Sequence, residues 1–549
     1  MPTPVPTPKL EAAAAESADP KLIATQQIYK GTRKVDSYQR NEKYVINMPA
    51  GDDYLSLPLG VTTFRGNAFR QNGAVGTLED PTALREVWKA EAGSIKGDER
   101  MYYGFGVYAQ PAIIKWPKDF RQIMALNEGY NDKSALKEVI IAGQDGKIYF
   151  LDLEDGQPTR EAINIGYPLR STPSIHSLSY PVVTVGQYAR KVPNKPNTIG
   201  LYYYNLVDNK RLRLIDGLDG DNDRQYNNNG AFDTSALYDR NSQTLITVGS
   251  NGLLYTEKLS MYYTMGDQGG VFTFNDIEEQ AVLKSYTRKQ EAGQAGVESS
   301  LAMYGSYAFY ADKGGILRCV DTTTMTTVWA VETGDAVRAA IALDLDEETS
   351  TLWLYTANTI TNRTKKTGDV TIRRYNAMTG EVSWELPVTC LRKSGKKDSD
   401  NKDVTAGVVA SPVIGQNQLG DLVYFTLSSV DASDAEALTG KTGMQAAVLV
   451  ALNKETGEVV WTMPMDAYSY SSPVAVYNED GRGWIVQGCS NGTLYLLDGR
   501  TGETINTLQV EGVIEGSPAV YGDMMVFGTT GKNKSYIYGV KLLSAQPEE

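Results

Sequence analysis

The chain has 549 residues, 41% of them hydrophobic and 22% charged, with 52 glycines and 34 tyrosines; this globular, turn-rich composition excludes disordered and fibrous classes. Acidic residues (66) outnumber basic ones (53), giving a formal net charge of −13, so the surface repels phosphate backbones and no nucleic-acid partner is expected. The single histidine excludes His-rich metal sites, and Cys319, Cys390 and Cys489, far apart and outside CxxC spacing, imply neither a disulfide framework nor a zinc site.

Residues 1–25 open with MPTPVPTPKLEAAAAESADPKL, a Pro/Thr then Ala/Glu/Ser composition that reads as a flexible spacer. Spacers tether, so the expectation is a signal or membrane anchor that preceded Met1 and was removed, with the body lying outside the cytoplasmic membrane as a monomer. Residues 26–79 read as an N-terminal extension packed on the main domain. Within it, Arg65, Asn67, Arg70 and Asn72 are expected to cap one end of a central channel through structural hydrogen bonds.

From 80 to 545 one unit recurs. VIIAGQDGKIYFLDLEDG (139 to 156), TLITVGSNGLLYTEKL (244 to 259), AFYADKGGILRCVDTTT (308 to 324) and WIVQGCSNGTLYLLDGRTG (484 to 502) each read as a hairpin around an Asp-Gly, Asn-Gly or Gly-Gly turn. A second turn then places Gly four residues after Asp152, Asn376, Asn453 and Asp498. Trp384 and Trp461 follow eight residues after Asn376 and Asn453; Trp329 follows Asp321 with Met325 in the glycine position, and Asn209 is the next-best residue for a left-handed turn.

Small-residue strands introduce the units at QPAI (110), TPSI (172), TSAL (234), SSLA (299), AAIA (339), SPVI (411), SPVA (472) and SPAV (517). Small residues suit the crowded axis of a radial array, and bulky outer strands fill its periphery. The last unit lacks an outer strand, whereas LREVWKAEAG around Trp88 precedes any complete unit. Pairing the two removes free sheet edges. The pattern predicts an all-β fold: one eight-bladed β-propeller of four-stranded antiparallel blades, its ring closed by joining an N-terminal strand to the C-terminal blade.

At [DN]-x-x-[TD]-G-x-x-x-W, carried by Asn376 to Trp384 and Asn453 to Trp461, the chain resembles the PQQ-like repeat of quinoprotein-type propellers, and TTFRGNAFRQNGAVGT (62 to 77) is similar to the Phe-Arg-Gly segment that precedes their first blade. That family holds PQQ-dependent dehydrogenases and non-enzymatic scaffolds of the BamB type. The dehydrogenase resemblance implies calcium- or lanthanide-bound PQQ, a catalytic Asp, a vicinal Cys-Cys pair and a Trp on the cofactor plane; the vicinal pair is absent here.

Asp233, Glu298 and Arg338 share one position, two residues before the aligned small residue of their strands, and are expected to converge at the channel mouth. The loops entering the first strands add Tyr102, Tyr103, Tyr108, Tyr167, Arg170, Tyr468 and Tyr470, a Tyr/Arg combination common at binding hot spots. Asp219, Asp221 and Asp223 have the alternate carboxylates of a calcium loop, but Arg224 and Gly230 break the pattern, and a plain polar loop is the better reading. His176 has no partners that would make a triad and reads as structural. The lysine-bearing insertion CLRKSGKKDSDNKDVT (390 to 405) reads as solvated. The expected function is a non-catalytic scaffold without cofactor, binding a protein or an envelope polymer; the alternatives are a PQQ and Ca²⁺-dependent alcohol or sugar dehydrogenase and a module binding cell-wall glycan.

Overall fold

The computed structural model describes residues 10–51, 60–178, 180–218, 229–266, 269–287, 294–361, 366–531 and 534–544. The fold is all-β; its sheets are built mainly from antiparallel neighbours in chain order, to which N-terminal strands add, Ala74–Val75 pairing in parallel with Val520 and Tyr521. Each small-residue strand opens a run of four. Ser174–Ile175 pairs with Val182–Gly186, then Gly200–Asn205 and Lys210–Asp216; Val474–Tyr477 opens an equivalent run through Gly483–Gly488 and Thr493–Asp498 to Thr504–Gln509. The last run, Ala519–Tyr521, Met524–Gly528 and Ser535–Ser544, takes its fourth strand from Pro81–Ala92, with Gly539 opposite Trp88.

Turn chemistry explains how one run meets the next. Gly156, Gly380, Gly457 and Gly502 have φ between 70° and 75°, a conformation that strains any residue with a Cβ. A tryptophan from the neighbouring run lies over each: Trp88 on Gly156, Trp329 on Gly380, Trp384 on Gly457 and Trp461 on Gly502. Each indole Nε1 donates to a carbonyl of the same turn, on Leu153, Ala377, Lys454 and Gly499, at 2.8–3.1 Å. The glycine therefore serves two ends, the left-handed turn and the flat face that receives the indole. Where glycine is missing, Asn209 (φ 56°) and Met325 (φ 55°) hold the left-handed conformation directly.

Apolar faces between runs form the core. Val526 and Ile537 of the last run pack with Ile113, Val139 and Ile141 of the first. The small hydroxyl residues of the first strands link across: Ala340 N donates to Ser411 Oγ (2.8 Å), Ser411 N to Ser472 Oγ (2.9 Å) and Ser472 N to Ser517 Oγ (3.1 Å). A larger side chain there would displace the neighbouring backbone and orphan an amide.

Residues 60–75 run past every one of these first strands in chain order. Gly60 and Val61 pair with Ile114 and Ile113, Thr62 O accepts from Ile175 N, and Thr63 Oγ1 donates to Ala236 O. Ala68 O accepts from Met303 N, Phe69 O from Leu343 N, and Gln71 O from Ile414 N. Asn72 exchanges two bonds with Ala475, and Gly73 O accepts from Val520 N. Arg65 and Arg70 are fully buried in this segment. Arg65 donates to the Pro473 and Pro412 carbonyls at 2.6 and 3.0 Å, and Arg70 to Leu301 O, Phe64 O and Ser235 O at 2.7–2.8 Å. Burial pulls the Arg65 guanidinium down to about 9, still charged at neutral pH.

The spacer expectation for residues 1–25 is corrected over its described part. Ala13 N and Ala15 N donate to Met378 O and Thr379 O, Ala18 O accepts from Ala330 N, and Ala18 is buried beside Trp329. Alanine can lie flat in a shallow groove, so a composition too poor to build its own core is ordered by a core built elsewhere. Residues 1–9 lie outside the described residues. Next, Thr25–Lys30 extends the sheet of Leu253–Gly266 and Gly269–Tyr286.

The indole seat can be isolated by two substitutions. A Cβ on Gly457 would stand 2.7 Å from Trp384 Cδ2, whereas Gly440, with a similar φ of 67°, has nothing within 4 Å. Gly457→Ala is expected to lose about 1–3 kcal/mol more in urea unfolding than Gly440→Ala. Equal losses would mean that backbone strain alone, and not the tryptophan, requires glycine.

Candidate functional site

The residues immediately preceding the first strands converge on a cavity of about 290 Å³. Of the side chains expected there, Tyr108, Arg170, Asp233, Glu298, Arg338 and Tyr470 line it. Tyr468 stands just behind, its hydroxyl donating to Glu515 at 2.6 Å. Three are placed elsewhere in detail. Tyr102 and Tyr103 lie on Met101–Tyr103, a short strand paired with Ser94–Lys96, with Tyr102 edge-on to Tyr188 at 6.1 Å. Tyr167 donates to Pro196 O at 2.7 Å, away from the cavity wall. Asp219, Asp221 and Asp223 lie outside the described residues.

The charged groups answer one another between neighbouring runs. Arg170 forms a two-pronged pair with Asp233, Nε to Oδ1 and Nη2 to Oδ2, both 2.8 Å, and its guanidinium lies 3.7 Å from the centre of the Tyr188 ring. Arg338 Nη1 donates to Glu298 Oε2 at 2.9 Å, where Tyr108 also donates at 3.3 Å; Lys313 reaches Glu298 Oε1 at 3.4 Å. Burial opposes ionisation of Glu298, but Arg338, Lys313 and Arg170 outweigh it and hold the carboxyl down to about 2. The forked Arg170–Asp233 geometry fixes direction as well as charge and stiffens this wall.

The 390–405 insertion, expected to be solvated, instead reaches across the mouth. Asp400 pairs with Arg100 at 2.7 Å, Lys402 reaches the Tyr188 hydroxyl at 3.3 Å, and Ser399 N and Oγ both donate to Glu515. Lys393, Lys396 and Lys397 do point outward, as their charge requires. The acidic half of the insertion is the part that turns in. Burial tends to raise Asp400, and the hydrogen bond and charge of Arg100 overcome that and hold it below the usual range. Glu515 is buried, pushed upward by that burial against the hydrogen bonds from Ser399 and Tyr468, and has no ion pair among the described residues. Glu515, Tyr188, Gln144, Asp398 and Asp400 went unrecognised in the sequence. For Glu515 a signal was available: it stands two residues before Ser517, the same offset that singled out Asp233, Glu298 and Arg338.

Two further expectations resolve simply. His176 is buried, accepts from Leu178 N through Nδ1 at 3.2 Å and stacks on Tyr180; burial, with Lys258 nearby, lowers it to about 3, so it is a neutral structural residue. Among the described residues no group of three or more His, Cys, Asp or Glu is placed to hold a metal ion.

The lining does not fit calcium-bound PQQ. Among the described residues, both arginines that could meet its carboxylates are already paired with Asp233 and Glu298, no tryptophan lines the cavity, and no metal-ligating group is assembled.

Residues 445–539 match the family model described as outer membrane protein assembly factor BamB, so the repeat resemblance holds over that segment. No curated protein matches the chain. Solved structures similar to it include a europium-containing methanol dehydrogenase (13% identity, 90% of this chain and 100% of that chain, TM-score 0.42). A quinohemoprotein alcohol dehydrogenase from Comamonas testosteroni is 11% identical over 91% of this chain and 84% of that chain, TM-score 0.42. The computationally designed Ika8 protein is 12% identical over 85% of this chain and 99% of that chain, TM-score 0.42.

Breaking the wall from one side should be worse than removing it. Arg170→Met leaves Asp233 buried and alone and is expected to cost about 3–5 kcal/mol, whereas the double variant Arg170→Met/Asp233→Leu recovers most of it; additive losses would contradict the pairing. For His176, the folded pKa of about 3 lies below the unfolded value of about 6.5, so its contribution is complete above about pH 6.5 and is lost as pH falls toward 3. Between pH 6 and 4, His176→Gln should therefore lose stability less steeply than the unaltered protein, by up to about 1.4 kcal/mol per pH unit.

Proposed function

We propose that the chain is a closed eight-bladed β-propeller that works outside the cytoplasmic membrane as a non-catalytic scaffold, binding a protein partner or an envelope polymer through the face that carries the cavity. Ring closure is supported by the Pro81–Ala92 and Ser535–Ser544 pairing and by the Trp88 seat on the first run. The observation that carries the non-catalytic reading is the pairing of the cationic groups facing the cavity: Arg170 with Asp233 and Arg338 with Glu298 form a preset surface, and among the described residues no metal-ligating group is assembled. Among the described residues no helix is long and apolar enough to cross a membrane. Next to the cavity-lining Tyr188, which Tyr102 meets edge-on, Met101 is exposed and Tyr102 and Tyr103 are half-buried on one short strand, a surface suited to contact.

A melting experiment separates this reading from the dehydrogenase. Ligand at 100 times its Kd adds about 2.7 kcal/mol. With PQQ and Ca²⁺ added together, no shift in Tm is expected, and a saturable, Ca²⁺-dependent rise would replace the scaffold reading with the enzyme.

A further inference from the structure

We infer that the cavity accepts a primary alkylammonium group, the chemistry of a lysine side chain presented by a partner or of a free aliphatic amine. This rests on the binding reading of the same face and deepens it by assigning what enters the cavity. The first observation is an imbalance of charge. The cations that line the cavity are committed: Arg170 to Asp233, Arg338 to Glu298, and Lys402 to Asp400, which Arg100 also holds. Asp403 pairs with Lys397. Asp398 and Glu515 line the same space and have no ion pair among the described residues. Glu515 is only 2% exposed. Burial is the main influence pushing both carboxyls upward; Asp400 adds to it at Asp398, and Asp398 adds to it at Glu515. A cationic guest relieves that penalty, an anionic guest increases it, and a neutral guest leaves it in place.

The second observation is an unmet amide. Gln144 is 2% exposed, lines the cavity, and its side chain makes no hydrogen bond to the described residues. Gly106 stands between it and the Glu515 loop: a Cβ there would lie 3.0 Å from Gln144 Nε2, and one on Gly516 would lie 3.5 Å from Gly106 O. Gln144, Asp398 and Glu515 thus bring acceptors from three separate segments to one space. The Glu515 oxygens already accept from Ser399 N at 3.0 Å, from Ser399 Oγ and from the Tyr468 hydroxyl at 2.6 Å, so no forked edge is free for a planar guanidinium. An ammonium, whose three donors point in different directions, needs only one lone pair from each acceptor.

The third observation is an apolar wall beside these acceptors. Val107, Val409 and Tyr470 line the cavity and pack together with Tyr468. Such a wall receives a methylene stem and offers nothing to a hydrated inorganic cation, for which no group of ligands is assembled among the described residues. The cavity, about 290 Å³, has room for a four-carbon stem and its charged head.

The test is isothermal titration calorimetry of the full chain with n-butylammonium chloride and with the peptide acetyl-Gly-Lys-Gly-amide; 1-butanol and the Nε-acetylated peptide are the uncharged comparators. Saturable binding of at least one ammonium probe is expected, with its uncharged counterpart about tenfold or more weaker. Tighter binding of the peptide assigns the source to a partner's lysine, and tighter binding of butylammonium to a free amine. Glu515→Gln should weaken binding about tenfold or more. Asp398→Asn, which keeps a side-chain acceptor for Lys402 N, should weaken it about threefold or more and serves alone if Glu515→Gln does not fold. Absence of binding by both ammonium probes would overturn the inference, as would equal binding of the uncharged comparators, unchanged affinity in the variants that fold, or displacement of the bound ammonium by equimolar Ca²⁺. The non-catalytic reading would survive a failure to bind ammonium, because that reading is tested by the melt with PQQ and Ca²⁺.

Discussion

A strand that faces the centre of a radial arrangement has an edge with nothing beside it, and its amides and carbonyls must still find partners. Here residues 60–75 supply them. Because the segment meets the strand ends around Ile113, Ile175, Ala236, Met303, Leu343, Ile414, Ala475 and Val520 in chain order, one short stretch satisfies every run and fixes their sequence around it. Arg65 and Arg70 suit this place because each guanidinium carries several donors in one plane and can gather carbonyls from different strands. Two residues without glycine's freedom are held in left-handed conformations, φ 57° and 58°, to aim those side chains. Such strain persists only where the surroundings over-determine it, as four or more strand ends around two arginines do.

The same frame sets the register of the cavity. Once the first strands are pinned at their hydroxyl contacts, the residue two positions earlier in each run projects at one level, and opposite charges on neighbouring runs come within bonding distance. Arg170 and Asp233 belong to adjacent runs, as do Glu298 and Arg338. Burial of these groups would be unfavourable singly, and pairing across the junction turns them into a lock between runs. The insertion likewise brings Asp400 in against Arg100.

Local chemistry made much of this legible in the sequence. Turn glycines, the tryptophan eight residues on, and the small-residue strands are all written within a few positions of one another, and six of the ten expected binding residues line the cavity. What could not be read depends on distance along the chain. Asp400 meets Arg100 across 300 positions, and Ser399 meets Glu515 across 116; neither segment has a pattern that betrays the other. Composition misled at two places for one reason. The alanines of residues 12–18 and the lysines of 393–397 describe the free chain, whereas the first stretch is ordered by the groove around Trp329 and the second is attached to acidic residues that have partners waiting.

Rigidity and access are divided between different parts of the molecule. The side of the cavity facing residues 60–75 is tied to backbone atoms of every run, so moving it would break hydrogen bonds throughout the fold. The roof is held by one insertion through Arg100, Tyr188 and Glu515, contacts that can part without disturbing a strand. Opening would expose charges that water can solvate, whereas displacement of the Arg65 segment would strand buried carbonyls. Access to the cavity therefore belongs to the roofed face, and the opposite side serves to hold the strands in place.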